Sequence, residues 1–298
     1  MNRVGSARSR VAFVYLSPWI IGFIVFQFYP FIASLSYSFT DFKFFGTPTF
    51  TGLRNYTRMF TEDWYYWGSC RRTVLYFVVV LSMKLLSAFF FAFVLSRLFR
   101  GSRFFRTALY MPSILGGSVG IAIVWRAIFG AGGTVNRVLA TLGLSPVDWL
   151  GDPSIALMTV AILPIWQFGS SMIIFLAALK QIPIEYYEAA IVDGASSLQR
   201  FFRITIPLIT PVILFNLVMQ TIWAMQEFTN VLVVTGGGPK KATYLYVLML
   251  YENAFRYFDM GYACAQSWVL FTMILVLTVV VFRSSSYWAF YQDEGSRS

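Results

Sequence analysis

Long apolar segments alternate with short polar ones along most of the chain. Apolar runs lie at about residues 11–38, 74–96, 105–129, 155–179, 206–234 and 264–282. A helix needs roughly 20 apolar residues to cross the hydrocarbon core of a bilayer, and each run approaches or exceeds that length. The pattern therefore predicts an all-α, polytopic membrane protein with six transmembrane helices in a single domain over 1–298.

The basic residues predict how these helices are oriented. The connection between the second and third runs carries four arginines within residues 97–106 and no acidic residue. Short loops rich in Arg and Lys remain on the cytoplasmic side. We therefore expect both termini in the cytoplasm, together with the connection between the fourth and fifth runs. The first run, interrupted by Pro18 and Pro30, is too long for an ordinary cleaved signal peptide and should be retained.

The connection between the fourth and fifth runs, residues 182–206, has the signals of a helix–turn–helix elbow. Pro183 suits the first turn of a helix, and Gly194 can take the left-handed conformation that ends one. Ser196 or Ser197 can cap a second short helix, and Pro207 then opens the fifth span. A small apolar stripe on the first helix consists of Tyr187, Ala190 and Ile191. This stripe suits a groove on another protein, and the alternative is an ordinary interfacial loop.

Charged residues inside the predicted spans are candidates for function, because a charge at membrane depth is costly unless it is paired or faces a cavity. Lys84, Arg126 and Glu227 lie in the second, third and fifth runs. Lys84 and Arg126 can instead snorkel or neutralise partners inside the bundle. Glu227 has polar neighbours, and the i, i+3, i+7 spacing places Gln220, Trp223 and Glu227 on one face of a helix.

Amides, a carboxylate and an indole are groups that bind sugars, because hydroxyls take planar hydrogen-bonding partners and C–H faces pack on aromatic rings. We therefore expect a solute path between the fourth and fifth spans. Its predicted lining is Trp166, Gln167, Ser170, Gln220, Trp223, Gln226, Glu227 and Asn230. The alternative is that these polar side chains join transmembrane helices without touching a solute.

Composition agrees with a membrane protein and excludes several kinds of chemistry. The chain is 58% hydrophobic and 12% charged, and its net charge of +10 is attributed to cytoplasmic basic residues, not to nucleic-acid binding. It has no histidine and only two cysteines, which excludes Ser-His-Asp and Cys-His nucleophiles and a His-ligated metal. The glycine-rich segment 236–243 lacks the contiguous Gly-Lys-Ser/Thr of a phosphate loop. We therefore expect no enzyme active site, no metal and no nucleotide site in this chain.

The elbow resembles the cytoplasmic signature of the carbohydrate permeases of ABC importers, the family that includes the maltose-type and glycerol-phosphate-type transporters. That signature reads Glu-Ala-Ala, three residues, Gly, nine residues, Ile, one residue, Leu-Pro. The matching residues here are Glu188, Ala189, Ala190, Gly194, Ile204 and Pro207, with Ile206 in place of the leucine. Supporting matches extend over nearly the whole chain, among them Gly52–Tyr56, Trp149–Pro153 and Thr235–Pro239.

The resemblance implies a permease subunit that moves a sugar and catalyses no reaction. The abundance of aromatic residues, 19% of the chain, favours an oligosaccharide over a charged solute as the cargo. It implies a heterodimer with a second permease, two cytoplasmic ATPase subunits that bind ATP and Mg, and a solute-binding protein on the outer face of a bacterial cell membrane. The segment that would couple to an ATPase comprises Tyr187, Glu188, Ala189, Ala190, Asp193, Gly194 and Ala195. The chain itself would bind no cofactor.

A secondary transporter driven by an ion gradient is the main alternative, because Lys84, Arg126 and Glu227 could form a proton relay. A membrane enzyme is a more distant one. It would need two convergent carboxylates at one depth, and the predicted spans supply only Glu227.

Overall fold

The computed structural model describes residues 15–44, 46–97 and 101–290. Residues 11–14 of the first predicted span, Arg100 and both chain termini lie outside this range. Within the described residues the protein is helical, and its only strand-like pairing is an isolated antiparallel bridge between Thr40 and Phe50. The all-α class expected from the sequence is confirmed.

Fourteen helices follow one another in the described part of the chain, and we number them in order. They are α1 (Tyr15–Ser38), α2 (Arg54–Thr61), α3 (Tyr66–Ser96), α4 (Ser102–Leu115), α5 (Val119–Phe129), α6 (Thr134–Thr141), α7 (Ala156–Trp166), α8 (Gly169–Gln181), α9 (Ile184–Val192), α10 (Ser197–Arg200), α11 (Ile206–Met225), α12 (Thr229–Val234), α13 (Tyr246–Tyr251) and α14 (Met260–Trp288). Wide helical turns at Phe201–Thr205 and Glu252–Arg256 follow α10 and α13.

Five helical stretches of the described chain are long and apolar enough to cross a membrane: Tyr15–Ser38, Tyr66–Ser96, Val119–Thr141, Ser197–Val234 and Met260–Trp288. A sixth arises if α7 and α8, which meet at an angle of 44°, are one bent span. Pro164 lies inside α7 and removes a helical hydrogen bond just before the bend.

The third apolar run, 105–129, is not one helix. It divides into α4 and α5 at Gly116 and Gly117, and Gly117 has a φ of 76°. Only glycine takes this left-handed conformation at little cost, so the two glycines interrupt the helix. These glycines therefore mark a break in the third apolar run.

The chain forms two compact units, and the first consists of Met1–Trp64 with Leu250–Phe271. Asn55 on α2 donates hydrogen bonds to the carbonyl oxygens of Ser38 (2.9 Å) and Thr40 (2.8 Å), which fixes the segment after α1. Arg58 forms a 2.6 Å ion pair with Asp259. These contacts make the segments flanking α2 an ordered structure and not flexible loops.

The second unit consists of Tyr65–Met249 with Thr272–Ser298, and its core lies between α3 and α8. Small side chains on α3 allow close approach of larger ones on α8, a common means of packing membrane helices. The cluster contains Ala88, Ala92, Leu95, Phe168, Met172, Phe175 and Leu176. Gly169 allows α8 to approach α4 closely, because a Cβ there would lie 2.7 Å from the carbonyl oxygen of Leu109.

Candidate functional site: a helical elbow and a polar cavity

The segment after α8 folds as the helix–turn–helix that the sequence predicts. Pro183 is the N-cap of α9, and Asp193 is its C-cap. Gly194 follows with a φ of 75°, and the N–H of Ala195 donates to the carbonyl of Ala190 over 2.8 Å. This closes the end of α9 with the left-handed residue that a helix C-terminus requires.

The second half of the elbow begins at a capping box. The N–H of Gln199 donates to Ser196 Oγ (3.3 Å), and Gln199 Oε1 accepts from the N–H of Ser196 (2.8 Å). This settles the choice left open by the sequence in favour of Ser196. The short α10 does not end separately near Ile204, however. It continues through Phe201–Thr205 directly into α11, so the second helix of the elbow and the fifth span form one continuous helix.

The predicted coupling residues differ in their exposure. Glu188, Ala189, Asp193 and Gly194 are exposed, whereas Tyr187, Ala190 and Ala195 are half-buried. The hydroxyl of Tyr187 forms a 2.9 Å hydrogen bond with Thr205, so this side chain ties α9 to the start of the fifth span. Of the predicted apolar stripe, Tyr187 and Ala190 are half-buried and Ile191 is exposed. Exposed apolar surface is supplied by Ile184, Ile191 and Val192.

A polar cavity of about 440 Å³ lies between α3, α4, α7, α8 and α11. Seven of the eight predicted path residues line it: Gln167, Ser170, Gln220, Trp223, Gln226, Glu227 and Asn230. Trp166 does not, because its ring stacks on that of Trp125 with centroids 6.0 Å apart. Arg126 is exposed and also absent from the lining.

Glu227 occupies a break in the fifth span and not a helix face. Helix α11 ends at Met225, and α12 begins at Thr229. The Glu227 carboxylate accepts three hydrogen bonds, from the backbone N–H of Asn230 (3.0 Å), from Asn230 Nδ2 (3.0 Å) and from the hydroxyl of Tyr76 (3.2 Å). It therefore caps the first turn of α12, where an acid is favourable, and joins the break to α3.

The remaining polar groups of the cavity come from several helices. Gln220 Nε2 donates to Ser171 Oγ over 3.2 Å, which links α11 to α8. Trp223 is 68% exposed, so its ring faces the open space and is not packed in the core. Asn216, one turn before Gln220, is buried and donates to the carbonyl of Val212. The cavity thus combines amide groups and an indole ring that are available to hydroxyls and to the C–H face of a sugar.

Sequence patterns did not identify several of the residues that line the cavity. Among them are Tyr76, Ser113, Gly116 and Gly117. In the sequence, Tyr76 cannot be distinguished from the other apolar positions of α3. The structure shows that its hydroxyl donates a hydrogen bond to Glu227. Lys84, for which the sequence allows either a snorkelling or a functional role, lines the cavity as well.

No three His, Cys, Asp or Glu side chains gather as metal ligands within residues 15–44, 46–97 and 101–290.

Long apolar helices, a polar cavity between them and an elbow between two spans are features of a transporter membrane subunit. The sequence profile described as "Binding-protein-dependent transport system inner membrane component" matches residues 85–289, and the chain belongs to this family. It is an ABC transporter permease subunit and not an enzyme, and ATP hydrolysis is carried out by a partner ATPase.

Similar proteins agree with this membership. The chain is 46% identical over 285 residues to the probable ABC transporter permease protein YesP of Bacillus subtilis (strain 168), covering 95% of this chain and 92% of YesP. It is 34% identical over 283 residues to the sn-glycerol-3-phosphate transport system permease protein UgpA of Shigella flexneri, covering 93% and 94%. The fold matches that of a bacterial ABC transporter involved in the import of the acidic polysaccharide alginate, with a TM-score of 0.80, 22% identity and coverage of 94% and 96%.

Proposed function

We propose that this chain forms one half of the membrane pathway of an ATP-driven sugar importer, with an oligosaccharide as its cargo. The observation that carries the proposal is the cavity of about 440 Å³, which has the size of a small-molecule site and is lined by amides and one exposed indole ring. The names of two similar proteins support it, since one transports sn-glycerol 3-phosphate and another takes part in alginate import.

In this proposal the elbow transmits force from the ATPase. Its exposed residues Glu188, Ala189, Asp193 and Gly194 seat in a groove of a cytoplasmic ATPase subunit, which binds the ATP and Mg, whereas this chain binds no cofactor. A hollow of about 410 Å³ beside Gly194 can receive a side chain of the partner. The continuous helix from α10 to α11 then carries a movement of the elbow to the cavity, where Gln220 and Trp223 lie.

The other partners follow from the same proposal. A second, similar permease completes the pathway as a heterodimer, two ATPase subunits bind the cytoplasmic elbows, and a solute-binding protein delivers the sugar from the outside of a bacterial cell membrane. Both chain termini lie in the cytoplasm. One solved relative is an alginate transporter in complex with a periplasmic protein that carries an alginate pentasaccharide.

Uptake by the complete transporter in proteoliposomes tests this function. We expect ATP-dependent uptake that requires the partner permease, the ATPase and the binding protein and that persists when ion gradients are collapsed. Uptake by this chain alone, abolished by an ionophore, would instead establish a secondary transporter. The relay for such a transporter has little support, because Arg126 does not line the cavity that holds Lys84 and Glu227.

A further inference from the structure

The two charged side chains of the cavity differ in how well they are satisfied. The Glu227 carboxylate accepts from three donors at 3.0 to 3.2 Å, supplied by Asn230 and Tyr76. Tyr76 is fully buried and Asn230 is 8% exposed, so these donors are held in place. Glu227 is therefore a structural carboxylate whose hydrogen-bonding capacity is largely used.

The Lys84 ammonium, in contrast, lacks hydrogen-bond acceptors in the surrounding protein. Its side chain lines the cavity, and Glu227 is near enough to interact with it electrostatically. Among the described residues, however, none accepts a hydrogen bond from the Lys84 ammonium or forms an ion pair with it. The ammonium has three N–H donors and can accept none, so it needs acceptors that the surrounding protein does not supply.

The position of Lys84 in its helix prevents an escape to the membrane surface. It lies about 15 Å from the start of the apolar run 74–96 and about 18 Å from its end, taking the usual rise per residue of a helix. A lysine side chain is shorter than either distance, so it cannot snorkel to a headgroup region. An unpaired charge at such depth is costly, and its retention at a cavity wall indicates a ligand.

We infer that Lys84 determines specificity in the cavity by binding an anionic group of the transported sugar, a carboxylate or a phosphate ester. This inference rests on the proposed function and adds the charge of the cargo to it. Gln167, Ser170 and Gln220 supply hydrogen bonds to hydroxyls, and the exposed ring of Trp223 supplies a stacking surface. Lys84 adds a charge-assisted hydrogen bond, which a neutral sugar cannot form.

Equilibrium binding to the complete transporter in lipid nanodiscs tests the inference without relying on the binding protein's own preference. The probes are trisaccharides of galacturonate, glucuronate and mannuronate, each paired with its carboxyl-reduced, neutral counterpart. Glycerol 3-phosphate and glycerol form a fourth pair that distinguishes a phosphate ester from a carboxylate. Calorimetry gives Kd, and the part of the ligand-induced change in tryptophan fluorescence that is lost in Trp223→Phe reports occupancy of this cavity.

We expect the wild type to bind at least one acidic probe about tenfold or more tightly than its neutral partner. Lys84→Gln should remove that preference by weakening the binding of the acidic probe, while the affinity for the neutral partner stays near wild type. Lys84→Arg keeps the charge and should retain most of the preference. The preference should also weaken as salt is raised, because salt screens the attraction between the Lys84 ammonium and the anionic group.

Two results would overturn the inference, and they differ in what else they reject. If the wild type binds acidic and neutral members of every pair equally, with a Trp223 signal, the cavity binds sugars but Lys84 does not select an anion. The same conclusion follows if Lys84→Gln keeps the preference. If no probe binds and Trp223→Ala has normal uptake kinetics, the cavity is not the sugar path, and the proposed function fails together with the inference.

Discussion

The elbow and the cavity differ in how far apart their residues lie along the chain. The elbow occupies one continuous segment, Pro183–Pro207, and each of its turns is set by a residue at that turn. The cavity gathers side chains from positions as far apart as Tyr76 and Asn230, on helices that meet only in the folded protein. The elbow should therefore respond to changes in local backbone conformation, and the cavity to changes in side-chain partners.

The largest effect is expected at the bend of the elbow. Gly194→Val places a β-branched residue at a φ of 75°, which costs roughly 1–2 kcal/mol even though no atom lies within 4 Å of the added Cβ. The bend should relax and uncouple the ATPase, so that uptake is lost while ATP hydrolysis continues and the complex still reaches the membrane. Paired uptake and ATPase assays measure this.

Two matched variants sharpen that result. Gly143→Val introduces the same strain, at a φ of 74° with open space around it, but outside the elbow, and should leave coupling intact. Gly194→Asn should keep most uptake, since asparagine tolerates the left-handed conformation. Wild-type uptake by Gly194→Val would contradict the elbow mechanism.

The next effect is expected at the break in the fifth span. Glu227→Ala leaves the buried Tyr76 hydroxyl and the Asn230 donors without their acceptor, at a cost of about 1–3 kcal/mol. We expect a lower thermal unfolding temperature and reduced uptake. Glu227→Gln keeps one acceptor oxygen and should lose less. Equal losses in both variants would show that the charge of Glu227, and not its hydrogen bonds, maintains the cavity.

Two tryptophans provide an internal control for the boundary of the cavity. Trp223→Ala removes an exposed ring from the cavity and should lower kcat/KM for uptake about tenfold with little change in stability or in ATPase binding. Trp166→Ala removes a ring that stacks on Trp125 outside the lining, so it should lower stability with little change in KM. A reversal of these two outcomes would relocate the solute path.

The smallest effect is expected at the capping box. Ser196→Ala removes the acceptor for the N–H of Gln199, at a cost of about 1 kcal/mol. Hydrogen exchange of the Gln199 amide should become about fivefold faster while uptake changes little. Ser286→Ala, which removes a hydroxyl bonded only to its own helix at Arg283, serves as the control. Unchanged exchange at Gln199 would show that the elbow does not depend on its cap.

The sequence predicted the elbow well because its signals are local. Proline fixes a helix start, glycine permits a left-handed end, and serine with glutamine three residues later forms a capping box. These preferences act within one or two turns of backbone, so neighbours in sequence suffice. The exception is Tyr187, whose inward contact with Thr205 depends on where the fifth span lies.

The sequence predicted the cavity only in part. Seven of the eight predicted path residues line one cavity, because polar side chains inside an apolar run must face a partner or a cavity. Trp166 lies outside the lining, since an indole is equally suited to packing and to a solute path. Glu227 was assigned to a helical face, but the periodicity of apolar positions continues past the true end of α11 at Met225 and conceals the break.

By itself, the sequence determined that this protein crosses a membrane, that it has no histidine-dependent chemistry, and that residues 182–206 form an elbow on the cytoplasmic side of its predicted topology. Each of these depends on composition or on local backbone preference. Only the tertiary structure decided that α4 and α5 separate at Gly117, that Tyr76 and Asn230 hold Glu227, and that Lys84 faces open space. Those facts arise from contacts between distant helices, and a single helix pattern cannot encode which partner a side chain will meet.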